Sequence, residues 1–217
     1  GRASRRLPWV MPETQKAASQ TERATNGGKK AMMNSKQKVN ILVLGPNGSG
    51  KTTFLNTLSM TPIVEVDYRY SDEIIENDTP QGVEFGAFIT PNVEVELRGV
   101  PAGNRFDMNW EVACEGTDAV IMLVPSDDPK SFEEAHKALD TVERKLDVPV
   151  LICLTKSDEG LVWSHEEVAE CFSVPSDFIV DLNPRDYKDS FDALNYLFEY
   201  LPAKQTEAER ELVRSVA

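Results

Sequence analysis

A chain of 217 residues with 41% hydrophobic content has room for one α/β domain of ordinary size and some tail. Its formal charge of −13 is unevenly spread, since residues 1–38 hold nine Lys/Arg against two acids while the rest holds 14 against 34, giving +7 and −20. Nucleic-acid binding through a broad surface needs Lys and Arg to neutralise phosphates, so the acidic body argues against nucleic acid as the main ligand.

Residues 1–38 are polar, poor in aliphatics and broken by Pro8, Pro12, Gly27 and Gly28. Such a composition cannot offset the entropy of ordering, which predicts a disordered basic tail. Its charge suits weak contact with anionic lipid or an acidic partner, beside the plainer reading of a solvated tail ahead of an internal start at Met32 or Met33. "GRASR" at 1–5 lacks the hydroxyl that a myristoylation signal needs, and the final "VRSVA" is no prenylation box, so no lipid anchor is expected. Apolar runs such as "AVIMLVP" at 119–125 are too short to span a bilayer, and no signal-peptide pattern is present. Cys114, Cys153 and Cys171 lack the paired spacing of a disulfide framework or zinc site. The expectation is a cytoplasmic protein with reduced thiols.

From Val39 onward short apolar strands alternate with amphipathic stretches, the signature of βα units around a mostly parallel sheet. Strands are predicted near 39–44, 82–89, 93–98, 118–124, 148–154 and 177–182, with helices at 50–59, 131–146, 164–172 and 188–201. "GVEFGAFI" and "VEVELR" meet across "TPN", too short a link for a parallel crossover, so this pair should be an antiparallel hairpin. Phe132, Ala135, Leu139, Val142 and Leu146 fall on one helical face, and Ser131 with Glu134 reads as a capping box. The result is an α/β domain over 39–202: a six-stranded, mostly parallel sheet with one antiparallel edge hairpin, helices on both faces and a charged tail at 203–217.

"GPNGSGKTT" at 45–53 fits G-x-x-x-x-G-K-S/T between a strand and a helix, the context in which that spacing holds polyphosphate. Gly45, Gly48 and Gly50 let backbone amides of the loop, including those of Asn47, Ser49 and Thr53, turn toward the ligand, and the helix N-terminus adds a favourable dipole. Lys51 should reach the β and γ phosphates, and the Thr52 hydroxyl should bind Mg²⁺. The loop alone does not choose the base. It resembles that of ABC transporter ATPases, but no LSGGQ-like signature follows, and the widely spread arginines do not suit a nucleotide-kinase lid.

"LICLTKSD" at 151–158 places Thr155, Lys156 and Asp158 at the end of a buried strand, where doubly wound folds bind ligands. This resembles the N/T-K-x-D guanine motif of Ras-like small GTPases. The Asp158 carboxylate can accept from guanine N1 and its 2-amino group, which adenine cannot supply, and the Lys156 stem can cover the ring. The resemblance spans about 39–201, and the "GPxxxGKTT", "EFG" and "PRD" flavours are most similar to bacterial and archaeal Ras-like GTPases. It implies GTP or GDP as ligand with Mg²⁺, and an effector or activating protein as partner. It also implies that "VDLNPRD" supplies the last base-contacting loop through Asp181, Leu182 and Asn183, and that Thr79 in "ENDTPQGVEFG" closes over Mg²⁺.

The second switch departs from the family. Where D-x-x-G-Q is expected after "VEVELR", the chain has "GVPAGNRF" at 99–106. One register puts Val100 at the aspartate and Asn104 at the glutamine, and the ungapped one puts Gly99 and Gly103 there. Both lose the acid and the glutamine, so hydrolysis, which rests on positioning, should suffer more than binding. Arg105 is the candidate for charge stabilisation from within the chain, against the simpler reading of an exposed loop arginine. Glu94 and Glu96 are weighed as replacement acids and read as the solvated face of the hairpin. His136 and His165 are read as helix-surface residues, and the acids from Glu65 to Glu76 as a linker or partner-facing switch loop. Three readings stay open: a switch with slow or partner-dependent GTP hydrolysis, a pseudo-GTPase that holds nucleotide without turnover, and an ATP-dependent P-loop enzyme.

Overall fold

"QKVNILVLG" alternates its apolar side chains between two faces and forms the central strand β1 (Gln37–Gly45), two residues longer at its start than expected. The computed structural model describes residues 37–66, 82–91, 93–101, 114–157 and 163–201. The basic tail up to residue 36 and the charged tail from 202 lie outside them, as do Thr79, Arg105, Asp158, Gly103, Asn104 and the acids from Asp67 to Glu76.

After β1 come α1 (Lys51–Leu58), β2 (Val64–Val66), β3 (Val83–Ile89), β4 (Val93–Pro101), β5 (Ala119–Pro125), α2 (Pro129–Lys145), β6 (Val150–Thr155), α3 (His165–Phe172), β7 (Ile179–Asp181) and α4 (Tyr187–Phe198). The strands form one sheet in the order β2-β3-β4-β1-β5-β6-β7. β3 and β4 pair antiparallel, as their short link required, and Thr90 closes the turn, its hydroxyl accepting from Val93 N at 3.0 Å. β4, β5, β6 and β7 join the parallel part around β1. Because β4 and β5 flank β1 on opposite sides, their connections diverge at its C-terminal end and leave a crevice there.

Among the described residues the sheet has seven strands, one more than the sequence suggested. The addition is β2, where Val64 and Val66 pair antiparallel with Phe85 and Val83. Three residues carry too little alternation to register as a strand, and only the exposed edge of β3 gives them a partner.

Each face of the sheet buries its own core. Val39, Ile41 and Val43 point to the face covered by Phe54, Leu55 and Leu58 of α1 and Leu194, Leu197 and Phe198 of α4. Leu42 and Leu44 point to the other, beneath Phe132, Ala135, Leu139 and Val142 of α2 and Val168 and Phe172 of α3. β5 and β6 are buried throughout, which is why they read as unbroken apolar runs.

Two helix starts show local chemistry. α2 begins at Pro129, where the missing N–H costs nothing, and its cap is Asp128, which accepts from Lys130 N at 3.0 Å and from the Ser131 hydroxyl at 3.0 Å. The expected capping box of Ser131 and Glu134 is therefore displaced by one aspartate just upstream. A capping box does open α3, where Ser164 accepts from Glu167 N at 3.2 Å and the Glu167 carboxylate accepts from Ser164 N at 2.9 Å.

This core predicts sharply unequal costs of truncation. Ile121→Ala on fully buried β5 should lower the free energy of unfolding by about 2–5 kcal/mol, measured by urea denaturation. Val64→Ala on β2, where the side chain is 57% exposed, should change it by less than about 0.5 kcal/mol.

Candidate nucleotide site

The loop that leaves β1 cannot carry side chains at two of its positions. A Cβ at Gly45 would lie 2.4 Å from the Leu123 carbonyl oxygen, and Gly50 has φ +97° with Pro184 Cγ 2.8 Å from where its Cβ would be. The close approach presses the loop against β5, and the left-handed turn at Gly50 aims the chain into α1. Between these glycines Asn47 and Gly48 are exposed, while Ser49 is buried and its amide donates to Pro46 O at 3.2 Å.

Lys51 opens α1 and is 9% exposed. Its Nζ donates to the carbonyl oxygens of Gly45 and Pro46, both at 2.9 Å, so the ammonium is folded back under the loop. Burial pulls its pKa from 10.5 down to about 8, against an opposing pull from the negative charges of Glu84 and Glu134. Thr52 is exposed, and its hydroxyl donates to Glu84 Oε1 at 2.5 Å. Asn47, Gly48, Lys51, Thr52, Glu84 and Gly99 are among the residues lining a cavity of about 350 Å³, which Thr53 also borders.

The segment expected to recognise the base is tied directly to this loop. Thr155, at the end of β6 and fully buried, donates its hydroxyl to Ser49 O at 3.0 Å. Lys156 follows with φ +59°, an uncommon conformation for a residue with a Cβ, and its Nζ lies 3.2 Å from Asp127 Oδ2. The strand end and the phosphate loop are thus held as one unit, with Lys156 at its rim.

The end of β7 and the loop after it, expected to contact the base, are held by the core and by polar contacts. Leu182 is 2% exposed, its side chain is part of the core, and its amide donates to Leu154 O at 2.8 Å. The Asp181 carboxylate lies 3.1 Å from His165 Nε2, and Asn183 Oδ1 accepts from Arg185 N at 3.1 Å. Pro184 packs on Gly50, and its carbonyl accepts from the Thr57 hydroxyl at 2.7 Å, clamping this loop along α1. Thr57 did not stand out in the sequence, because its role exists only once the loop between β7 and α4 reaches α1.

Gly99 and Val100 separate cleanly. Gly99 lines the cavity, whereas Val100 is fully buried in the core beneath α2 and α3. The ungapped register, with Gly99 at the position of the missing aspartate, is therefore the one that faces the site. Glu96 is no substitute, since its carboxylate is taken by Lys38 at 2.7 Å and Arg98 at 2.6 Å. Burial pushes that carboxyl up, but the hydrogen bonds from Lys38 and Arg98 outweigh it and hold the group below its ordinary range. His136 stacks on Phe172 with ring centroids 5.9 Å apart, on the surface of α2.

Among the described residues no group of three or more His, Cys, Asp and Glu could cage a metal, and no helix is long and apolar enough to cross a membrane. A magnesium ion needs no such cage, because it keeps several waters and takes one or two protein oxygens plus phosphate. The Thr52 hydroxyl and Glu84 carboxylate are hard oxygen donors of that kind.

Comparison with known proteins agrees with this geometry. The fold matches the G domain of the FeoB iron transporter of T. maritima with a TM-score of 0.56 and 17% identity, over 76% of this chain and 99% of that one. It matches the Arl6 BBS3 small GTPase from Trypanosoma brucei, determined with the nucleotide analogue GppNp, with a TM-score of 0.57 and 19% identity, over 75% and 96%. Residues 28–183 match the model of the ADP-ribosylation factor family, Arf. The chain belongs to this family, and its fold is that of a Ras-like small GTPase G domain.

Proposed function

We propose that this protein is a guanine-nucleotide switch that holds Mg²⁺-GTP or GDP in the cavity at the end of β1 and hydrolyses GTP slowly or only with a partner's help. The observation that carries this reading is the buried Lys51 ammonium beneath a glycine loop, in a cavity with Thr52 on its wall. A buried cation whose partners are two carbonyls is ready to exchange them for phosphate oxygens, whose charge it meets. Loop amides and the N-terminus of α1 would share the phosphate charge. Thr52 would hold the magnesium ion, with Thr79 as the further candidate outside the described residues. When bound, the ion would supply charge stabilisation to the phosphates.

Guanine selection is assigned to Lys156 and Asp158, with Thr155 fixing their strand end to the phosphate loop. Asp181 ends β7 and Asn183 lies on the loop after it, and Leu182 can offer a base only its backbone. The ends of both expected switch segments, Glu65 and Gly82 on one side and Gly99 on the other, line the cavity. A γ-phosphate there would be sensed by segments 61–81 and 99–112, which present the surface that an effector or activating protein reads.

Gly99 provides no carboxylate at the cavity, which supports slow turnover and equally favours the second reading, a module that never cycles. Loading the protein with GTP and Mg²⁺ and following phosphate release in a single turnover separates the two. Conversion to GDP over minutes to hours is expected, and GTP that stays intact for a day would support the module instead.

The lowered pKa of Lys51 sets the sign of a pH effect. Above about pH 8 the nucleotide-free protein carries a largely neutral Lys51, and phosphate must restore its proton. Nucleotide binding at pH 8.5, measured by calorimetry in buffers of different ionisation enthalpy, should therefore take up a substantial fraction of one proton. Affinity should fall as pH rises through 8, and Lys51→Ala should remove the uptake. Without nucleotide the sign reverses, because the unfolded chain holds more protons than the folded one between about pH 8 and 10.5, so this group makes the empty protein more stable as pH rises through that window.

A further inference from the structure

The missing switch acid has a neighbour in the sheet. Glu84 on β3 is the register partner of Gly99 on β4, and the two strands lie antiparallel. A Cβ at position 99 would lie 3.0 Å from Glu84 Oε2 and 3.2 Å from Leu55 Cδ2, so an aspartate there would contend with the carboxylate already present. The other oxygen, Oε1, accepts from the Thr52 hydroxyl at 2.5 Å. The Glu84 carboxylate thus spans the gap between the loop's hydroxyl and the position that lost its acid, on the cavity wall.

We propose that Glu84 is the metal-facing acid of this site, supplying from β3 the negative charge that D-x-x-G supplies from the strand beside it, opposite Thr52. The inference rests on the nucleotide reading above. Four described acids on β2, β3 and β4 could take this role. Glu96 is paired with Lys38 and Arg98, and Glu94 does not line the cavity. Glu65, on β2, also lines the cavity, but its carboxylate accepts from Gly82 N at 3.2 Å. Glu84 alone among these meets the hydroxyl expected to bind Mg²⁺. Glycine at 99 is then the other half of the same exchange, since it clears the space the longer carboxylate occupies.

The test uses the whole chain loaded with a fluorescent GDP analogue, and measures its release as free Mg²⁺ is varied. Glu84→Gln and Glu84→Ala should each raise the Mg²⁺ concentration for half-maximal retention by about tenfold or more, while release in EDTA stays within about twofold of the unmodified protein. Adding Gly99→Asp to Glu84→Ala should bring the midpoint back down, and Glu94→Gln should leave it unmoved. Unchanged midpoints in both Glu84 variants would overturn the assignment alone. So would faster release of equal size with and without Mg²⁺, the mark of a carboxylate that only braces Thr52 or Lys51. An unmodified protein that fails to retain the GDP analogue, or retains it without regard to Mg²⁺, would overturn the nucleotide reading and this proposal with it.

Discussion

The site is organised by one buried cation. Lys51 sits under the loop with its ammonium satisfied by the carbonyl oxygens of Gly45 and Pro46, at an energetic disadvantage that shows in its lowered pKa. A lysine is hard to keep charged in such a place unless something anionic arrives. The glycines serve that end, since Gly45 allows the loop to press on β5 and Gly50 turns the chain so that Lys51 starts α1. The apolar faces of β1 hold the whole arrangement still, with one core beneath α1 and α4 and another beneath α2 and α3.

From that cation the site extends in two directions. Toward β6, the hydroxyl of Thr155 fastens the expected base-recognition segment to Ser49, so phosphate and base positions move together. Toward β3 and β4, the hydroxyl of Thr52 meets Glu84, and Gly99 leaves the space between. On this account the departures from the usual second switch form a rearrangement of charge between paired strands, and turnover then depends on how well the displaced acid and the missing glutamine are compensated.

What could be read from the sequence was local. Gly45, Gly50 and Lys51 carry their role in their spacing, and the alternation in "KVNILVL" and the period of α2 follow from which side chains must be covered. The rest depended on pairing across the chain. Glu84 looks like any polar position on a half-exposed strand until β4 brings Gly99 beside it, while Glu94 and Glu96 drew notice because they alternate. Leu182 fell in a loop position yet belongs to the core, since the chain entering α4 passes over the end of β6. β2 is three residues that become a strand only against the edge of β3. α2 is capped three residues before Ser131, because Asp128 ahead of Pro129 takes the Lys130 amide and the Ser131 hydroxyl itself.

The central claim is that a site built around Lys51 and the segment after β6 selects a guanine nucleotide. The most direct measurement is calorimetric titration of the 217-residue chain, stripped of nucleotide, with GDP and separately with ADP in the presence of Mg²⁺. The account predicts one GDP bound per chain and ADP weaker by about a hundredfold or more, the discrimination expected when a site hydrogen-bonds groups that one base lacks. Equal binding of the two, or binding of neither, would contradict it.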